Sequence, residues 1–249
     1  MSEMDLTEEV HRMALEAGFT GVGITAPERM RDLPQGWVAD VKELLSPEEI
    51  LPGAKSVVVL LFHAWDRSFF LHIDPPGWKG YSFHSEDEGL EGYYIVYQVT
   101  MSKAWSIVSL LREKGHRAVL STSIPMKSAA VACGLGCHGK STLLLHPEVG
   151  PRLGLMTVVT TALLEVDEPF EGDLCGDCTR CIDACPTGAL EPYSVEIMRC
   201  MAYASENPGR EDIPADVREL ERKLIARPTG NSFLECTICM DACPVGRVS

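Results

Sequence analysis

Basic side chains are in short supply: 22 lysines and arginines stand against 36 aspartates and glutamates, a formal net charge of −14. That balance repels a polyanionic partner unless a local basic patch overrides the field, so bulk electrostatics makes nucleic acid an unlikely partner. Also lacking is any apolar run approaching the ~20 residues of a membrane span, and Met1-Ser-Glu-Met-Asp5 does not begin a secretory leader. The expectation is a soluble, cytoplasmic protein without a membrane partner. Cysteine, by contrast, is abundant, with ten in 249 residues. In a reducing compartment such thiols hold metal rather than pair with one another. The length suffices for one large core or two smaller ones, burying roughly 70–75% of the unfolded surface.

The cysteines are not scattered. Residues 173–186 read Asp-Leu-Cys175-Gly-Asp-Cys178-Thr-Arg-Cys181-Ile-Asp-Ala-Cys185-Pro186, and Cys236-Thr-Ile-Cys239-Met-Asp-Ala-Cys243-Pro244 repeats the last three at the same spacing. C-x2-C-x2-C-x3-C-P is the run that wraps [4Fe-4S] clusters in bacterial two-cluster ferredoxins. Three thiolates reach three iron corners from one tight loop, whose amides soften the sulfide charge, and the fourth, carried away by proline, serves the other cluster. Cys175, Cys178, Cys181 and Cys243 are therefore assigned to one cluster. Cys236, Cys239 and Cys185 serve the other, with Cys200, alone between the runs, as the candidate fourth ligand. Zinc sites and disulfide frameworks do not carry the C-x3-C-P ending.

Upstream, the pattern is that of an α/β unit. Residues 5–17 open with an Asp5-x-x-Glu8 cap, show apolar residues at helical spacing and stop at Gly18. Residues 19–25 alternate like a strand, and a short turn begins at Ser46. Residues 56–62 form the strongest strand, apolar on both faces and so buried on both. Residues 64–89 carry Gly, Pro, His and Asp without a period and read as a long loop. Residues 89–114 fit a long helix closed by Gly115, followed by strands at 117–120 and 153–161. Residues 163–172, acidic and proline-bearing, read as a seam, giving domains at 1–168 and 169–249. Residues 215–226 read as an amphipathic helix with an exposed, salt-bridged face. Helices alternating with buried strands place the first half in an α/β (α+β) sandwich.

Residues 125–142 contain Cys133-Gly134-Leu135-Gly136-Cys137-His138-Gly139-Lys140-Ser141. Gly134-x4-Gly139-Lys140-Ser141 matches a phosphate-loop pattern, and Gly134-x-Gly136-x2-Gly139 a dinucleotide fingerprint, but both need a strand before and a helix after. An alanine-rich helical stretch precedes the glycines, and Pro147 breaks the short apolar run 143–145 too soon for a helix. The expectation is a glycine turn that lets backbone approach a large ligand closely. Cys133 reads as a small buried hydrophobe.

Taken in order, Leu51-Pro-Gly-Ala-Lys-Ser-Val-Val, Ala132-Cys-Gly-Leu-Gly-Cys-His-Gly-Lys140, His146-Pro-Glu-Val-Gly-Pro-Arg-Leu-Gly-Leu155 and the double cysteine run resemble the superfamily of epoxyqueuosine reductases and reductive dehalogenases. The likeness spans nearly the whole chain. It implies a corrinoid (cobalamin or a relative) held base-off between a nitroreductase-like lobe and a ferredoxin-like lobe. Electrons would pass through the outer and then the inner cluster to cobalt. The resemblance places Gly134, Leu135, Gly136, Gly139, Lys140 and Ser141 against the corrinoid or its nucleotide tail.

The chain also departs from that pattern. The tRNA-modifying members carry an aspartate proton donor three residues before the proline that opens the helix into the glycine turn, and Thr122 stands there; threonine cannot supply that acid. Those members usually continue into a helical repeat domain, which is lacking after Cys243. The dehalogenases use a tyrosine, for which Tyr93 or Tyr94 is the candidate, a core-facing aromatic being the other reading. Cys137 and His138 offer an axial contact to cobalt, a redox thiol or a proton donor. The leading expectation is a corrinoid-dependent iron-sulfur reductase of a small organic substrate in an anaerobic cytoplasm, with Tyr94, His138 and Cys137 as catalytic candidates. It would draw on a low-potential donor such as ferredoxin or flavodoxin. The alternatives are an electron-transfer protein serving a partner corrinoid or metalloprotein and, ranked lower, an epoxyqueuosine (tRNA) reductase.

Overall fold

In the computed structural model, residues 5–31, 43–73 and 93–246 are described. In chain order they form α1 (Leu6–Glu16), β1 (Gly21–Thr25), α2 (Pro27–Met30), α3 (Pro47–Ile50), β2 (Ser56–His63), β3 (Leu71–Ile73), β4 (Tyr93–Tyr94), α4 (Ile95–Glu113), β5 (Ala118–Ser121), α5 (Met126–Ala132), β6 (Cys137–His138), β7 (Leu144–Leu145) and β8 (Leu153–Thr160). The second half adds α6 (Arg180–Asp183), β9 (Leu190–Glu191), β10 (Ser194–Val195), α7 (Met201–Glu206), α8 (Ala215–Leu224), β11 (Ser232–Leu234) and α9 (Ile238–Ala242).

The central sheet runs β1-β2-β8-β5, every pair antiparallel. The first lobe is thus α+β with a sandwiched sheet. Strand period explains why β2 has no polar side: Val58, Leu60 and Phe62 enter the core shared with α1 and α4, while Val57, Val59 and Leu61 enter the core shared with α5. Each such fully buried side chain contributes about 1.5–3 kcal/mol. On α4, Val96, Thr100, Ala104, Ile107, Val108 and Leu111 are buried at helical spacing. Gly115, with φ 86°, closes it.

Three expectations change. Asp5 stands at the N-cap of α1 but makes no side-chain cap bond; the capping box lies at α3, where Ser46 and Glu49 satisfy each other's backbone N–H. The expected loop at 64–89 contains a 3-10 turn at Arg67–Phe70 and then β3, while the part beyond residue 73 lies outside the described residues. On α8 one face is solvated, with Lys223 pairing Glu219, but Val217 and Glu221 are buried and Glu221 accepts from Ser205 and Arg227.

A three-stranded sheet, β11-β3-β4, carries strand pairing from the C-terminal half into the first lobe. In its register His72 stands opposite Phe233 on one side and Tyr94 on the other. The cysteine-bearing half has a core of its own around Met201, Tyr203, Ala204, Val217 and Phe233. Among the described residues no helix is long and apolar enough to cross a membrane.

Candidate cluster and active site

The first cysteine set grows from local turns. Asp173 accepts the Cys175 N–H at 2.8 Å, Cys178 N–H donates back to the Cys175 carbonyl at 2.9 Å, and α6 turns Cys181 inward. α9 packs against α6 and delivers Cys243, so that Cys175, Cys178, Cys181 and Cys243 line one pocket together with Ser141. Lys140 closes it: its backbone N–H donates to the Cys175 Sγ at 3.3 Å and its Nζ to the Gly176 carbonyl at 2.6 Å. Burial, then Cys175 and Cys243, push the Cys181 thiol up.

Cys185, Cys200, Cys236 and Cys239 form the second set. Cys200 is the N-cap of α7, Cys236 follows β11, and Cys239 lies in α9. Burial, then Cys200, Cys236 and Cys185, hold the Cys239 thiol far above its ordinary range. Burial also pushes Cys200 up to about 11, with Cys236 and Glu206 adding to the shift. Neighbouring thiols that raise one another make a poor set of free thiols and a good set of ligands, because iron takes the thiolate outright and supplies the missing positive charge. Four such sulfurs per site fit a [4Fe-4S] cluster at each. The two sets adjoin, since Cys181 of the first also acts on Cys239. Their surroundings differ: Gly176, Asp177, Thr179 and Arg180 around the first are exposed, whereas Met201, Tyr203, Phe233 and Thr237 around the second are buried.

The glycine turn packs closely on the chain's own backbone. A Cβ on Gly136, where φ is 147°, would lie 2.0 Å from the Leu145 carbonyl oxygen, and one on Gly134 would lie 2.8 Å from that of Glu168. The close approach these glycines permit is to the chain's own β7 and seam, which accounts for them without a ligand. Leu135 is buried in the core, and the turn leads into β7 rather than a helix, so no phosphate loop forms. Cys133 is a buried core residue.

Strand alternation separates Cys137 from His138. The Cys137 thiol lies beside Leu174 and Cys175, at the first set, and burial pushes it up. His138 faces α5, with Nε2 3.3 Å from the Ser128 Oγ; burial and Lys127 lower its pKa. Burial also lowers Lys127 to about 8, against the pull of Cys200, Glu235 and Cys239, and its Nζ donates to the Thr142 carbonyl at 3.0 Å. Tyr94 stacks on His72, ring centroids 4.2 Å apart and 11° from parallel, and is hydrogen-bonded to Glu235. Lys127, His72, Glu206 and Glu235, none of them singled out by sequence, thus gather near the second set. The only signal for His72 was a lone polar residue between Leu71 and Ile73.

These parts define a class, an iron-sulfur oxidoreductase in which a ferredoxin-type lobe abuts an α+β lobe. Residues 174–246 match the family model of a 4Fe-4S double cluster binding domain. Over 96% of its length the chain is 30% identical to the epoxyqueuosine reductase of Synechococcus sp. (strain CC9605), covering 75% of that protein, and 28% identical to that of Leadbetterella byssophila, covering 80%. The chain belongs to the epoxyqueuosine reductase family.

Among solved structures it superposes on the Bacillus subtilis epoxyqueuosine reductase with its catalytic aspartate loop swung out of the active site (TM-score 0.69, 24% identity, 97% of this chain and 65% of that one). An epoxyqueuosine reductase bound to an epoxyqueuosine-modified tRNA stem loop gives a TM-score of 0.67 at 23% identity, covering 97% of this chain and 65% of that one. A B12-dependent reductive dehalogenase gives 0.55 at 19%, covering 89% and 35%. The chain thus spans 65% of the length of these two solved epoxyqueuosine reductases, and these likenesses show the fold.

Proposed function

We propose that the chain is a corrinoid-dependent iron-sulfur reductase of epoxyqueuosine in tRNA. Membership in a family two of whose relatives it covers over 80% and 75% of their length carries this reading. It reverses the two sequence-based preferences, for a small organic substrate and against nucleic acid. The −14 net charge is a sum over the whole surface, whereas a tRNA stem meets only the patch it docks on, within about 10 Å at ordinary salt. The domain boundary near residue 168 and the cytoplasmic location belong to the same proposal.

Removing an epoxide oxygen as water consumes two electrons and two protons. The first cysteine set, ringed by exposed residues, would hold the cluster that meets a low-potential donor, and the second, ringed by buried ones, the cluster nearer the substrate. A bound corrinoid would supply the low-potential cobalt chemistry that such a reduction needs. Among the described residues, Lys127 near Cys200 and Cys239, with Ser128 and His138 next to it, would offer polar groups to a macrocycle rimmed with amides. Lys140 and Ser141 serve the first cluster. Thr122 holds no acid, Tyr94 has its hydroxyl committed to Glu235, and Cys137 turns to the first set. His138, which its lowered pKa keeps neutral, is therefore assigned to relay protons toward the substrate rather than to store one.

The test is anaerobic reconstitution, with ultraviolet-visible and EPR spectra taken before and after adding hydroxocobalamin, then incubation with epoxyqueuosine-containing tRNA under a low-potential reductant. Conversion to queuosine supports the reading. Eight irons with no spectral response to the corrinoid would leave an electron carrier. A corrinoid response without tRNA turnover would favour a small organic substrate, the reading that Thr122 supports.

A further inference from the structure

Below Tyr94 lies a side-chain cluster that neither cysteine set uses. We propose that His72, Glu206 and Glu235 form a binding site for one divalent first-row cation, zinc being the best match in size and ligand type. The site is separate from the iron clusters and independent of which substrate the protein reduces.

Three observations carry this. First, the imidazole is clamped. It lies between Tyr94, at 4.2 Å and 11°, and Phe233, at 4.7 Å and 6°, as the pairing of β3 with its two neighbours requires. A ring held on both faces cannot swing to another partner, and its Nε2 edge is aimed at the carboxylates. Second, that edge is unsatisfied. The His72 side chain is 5% exposed, yet neither its Nε2 nor the Glu235 Oε2 has a hydrogen-bond partner. A buried polar atom left so carries a desolvation cost that coordination would remove. Third, the spacing suits an ion. Nε2 lies 3.7 Å from Glu206 Oε1 and 3.7 Å from Glu235 Oε2, and all three ligand atoms fall within 4.8 Å of one another.

A separation of 3.7 Å is too long for a hydrogen bond but close to that of two donors each about 2.1 Å from one shared ion. An imidazole nitrogen among the donors points to zinc over magnesium or calcium, which take oxygen ligands. Two carboxylates and a neutral imidazole are balanced by a charge of +2, and Lys127, whose charge acts on Glu235, is already bonded to the Thr142 carbonyl. The donors come from β3, the end of α7 and the residue after β11, so one ion would staple the first lobe to both elements that carry Cys200 and Cys236.

The experiment uses cluster-loaded protein, equilibrated anaerobically with Zn2+, washed with a weak chelator and assayed for metals. Zinc K-edge absorption then reads the ligands. The expected result is one zinc beyond eight irons, with a shell of nitrogen and oxygen at about 2.0–2.2 Å and no sulfur near 2.3 Å. His72→Ala and the isosteric Glu206→Gln should each lose the zinc while retaining eight irons, and the second guards against a folding defect in the first. No extra zinc, zinc with sulfur ligands, or zinc kept by both variants would each overturn the proposal.

Discussion

The two cysteine sets share one spacing and differ in their setting. Around the first, loop residues face water; around the second, Met201, Phe233 and Thr237 are buried, and Lys127 and Glu235 stand close. Spacing fixes which atoms a cluster is offered, and surroundings fix what the cluster is for: the wet one suits collecting electrons from a partner, the enclosed one delivering them. The sharpest way to break this contrast is to remove one ligand from each. Cys200→Ala should abolish turnover, by at least about 100-fold, whatever the reductant. Cys175→Ala should do so with a protein donor, yet leave turnover measurable with a small soluble reductant that reaches the inner site. Equal loss under both reductants for both variants would show that the two settings do not divide the work.

A smaller effect separates the cores. Phe233 is fully buried, stacks on His72 and begins the approach to Cys236. Phe233→Ala should cost about 3–5 kcal/mol, and in a chemical melt of the holoprotein the EPR signal of the second cluster should fade before that of the first. Leu60→Ala, at the centre of β2, should cost about 2–5 kcal/mol and release both clusters together.

The third contrast sets two glycines against each other. Gly136→Ala forces a methyl into the Leu145 carbonyl and should cost several kcal/mol, on the order of an overpacked core or more. Gly176→Ala, in the first cysteine loop, meets open space at φ 47° and should cost only about 1 kcal/mol. Thermal melts compare them directly; a benign Gly136→Ala would return the turn to a ligand-facing role.

That glycine turn also marks where the sequence stops being readable. Its conformational freedom was plain from composition, but which backbone comes close is a property of the folded chain, and at Gly136 it is that of Leu145. Residues 56–62 and the α4 pattern were legible because burial on a strand or helix writes a local period. The cysteine runs were legible because three ligands of a cluster come from one turn. His72, Glu206 and Glu235 were not, since only the pairing of β3 with β11 and the end of α7 bring together residues so far apart in sequence. Cys137 and His138 show the opposite case: adjacent in sequence, they face different neighbours because a strand alternates.

The smallest expected effect lies at the surface of the two lobes, where two carboxylates have lowered pKa values for different reasons. Glu49, in the first lobe, is held down by the backbone N–H and then the hydroxyl of Ser46, both neutral donors. Asp212, in the second, is held down by the hydrogen-bonded guanidinium of Arg210. In each case the folded-state value lies below the unfolded one. The stability each carboxylate contributes is therefore complete above the ordinary carboxylate range, near pH 4, and disappears as pH falls through the folded value. Salt should distinguish them, because exposed charge pairs are screened while a neutral cap is largely not. Raising sodium chloride from about 0.05 to about 0.5 M should move the Asp212 titration, followed by carboxyl NMR, up toward its ordinary value and leave that of Glu49 nearly in place. Equal movement of the two would mean that Glu49 answers to a charge beyond its cap.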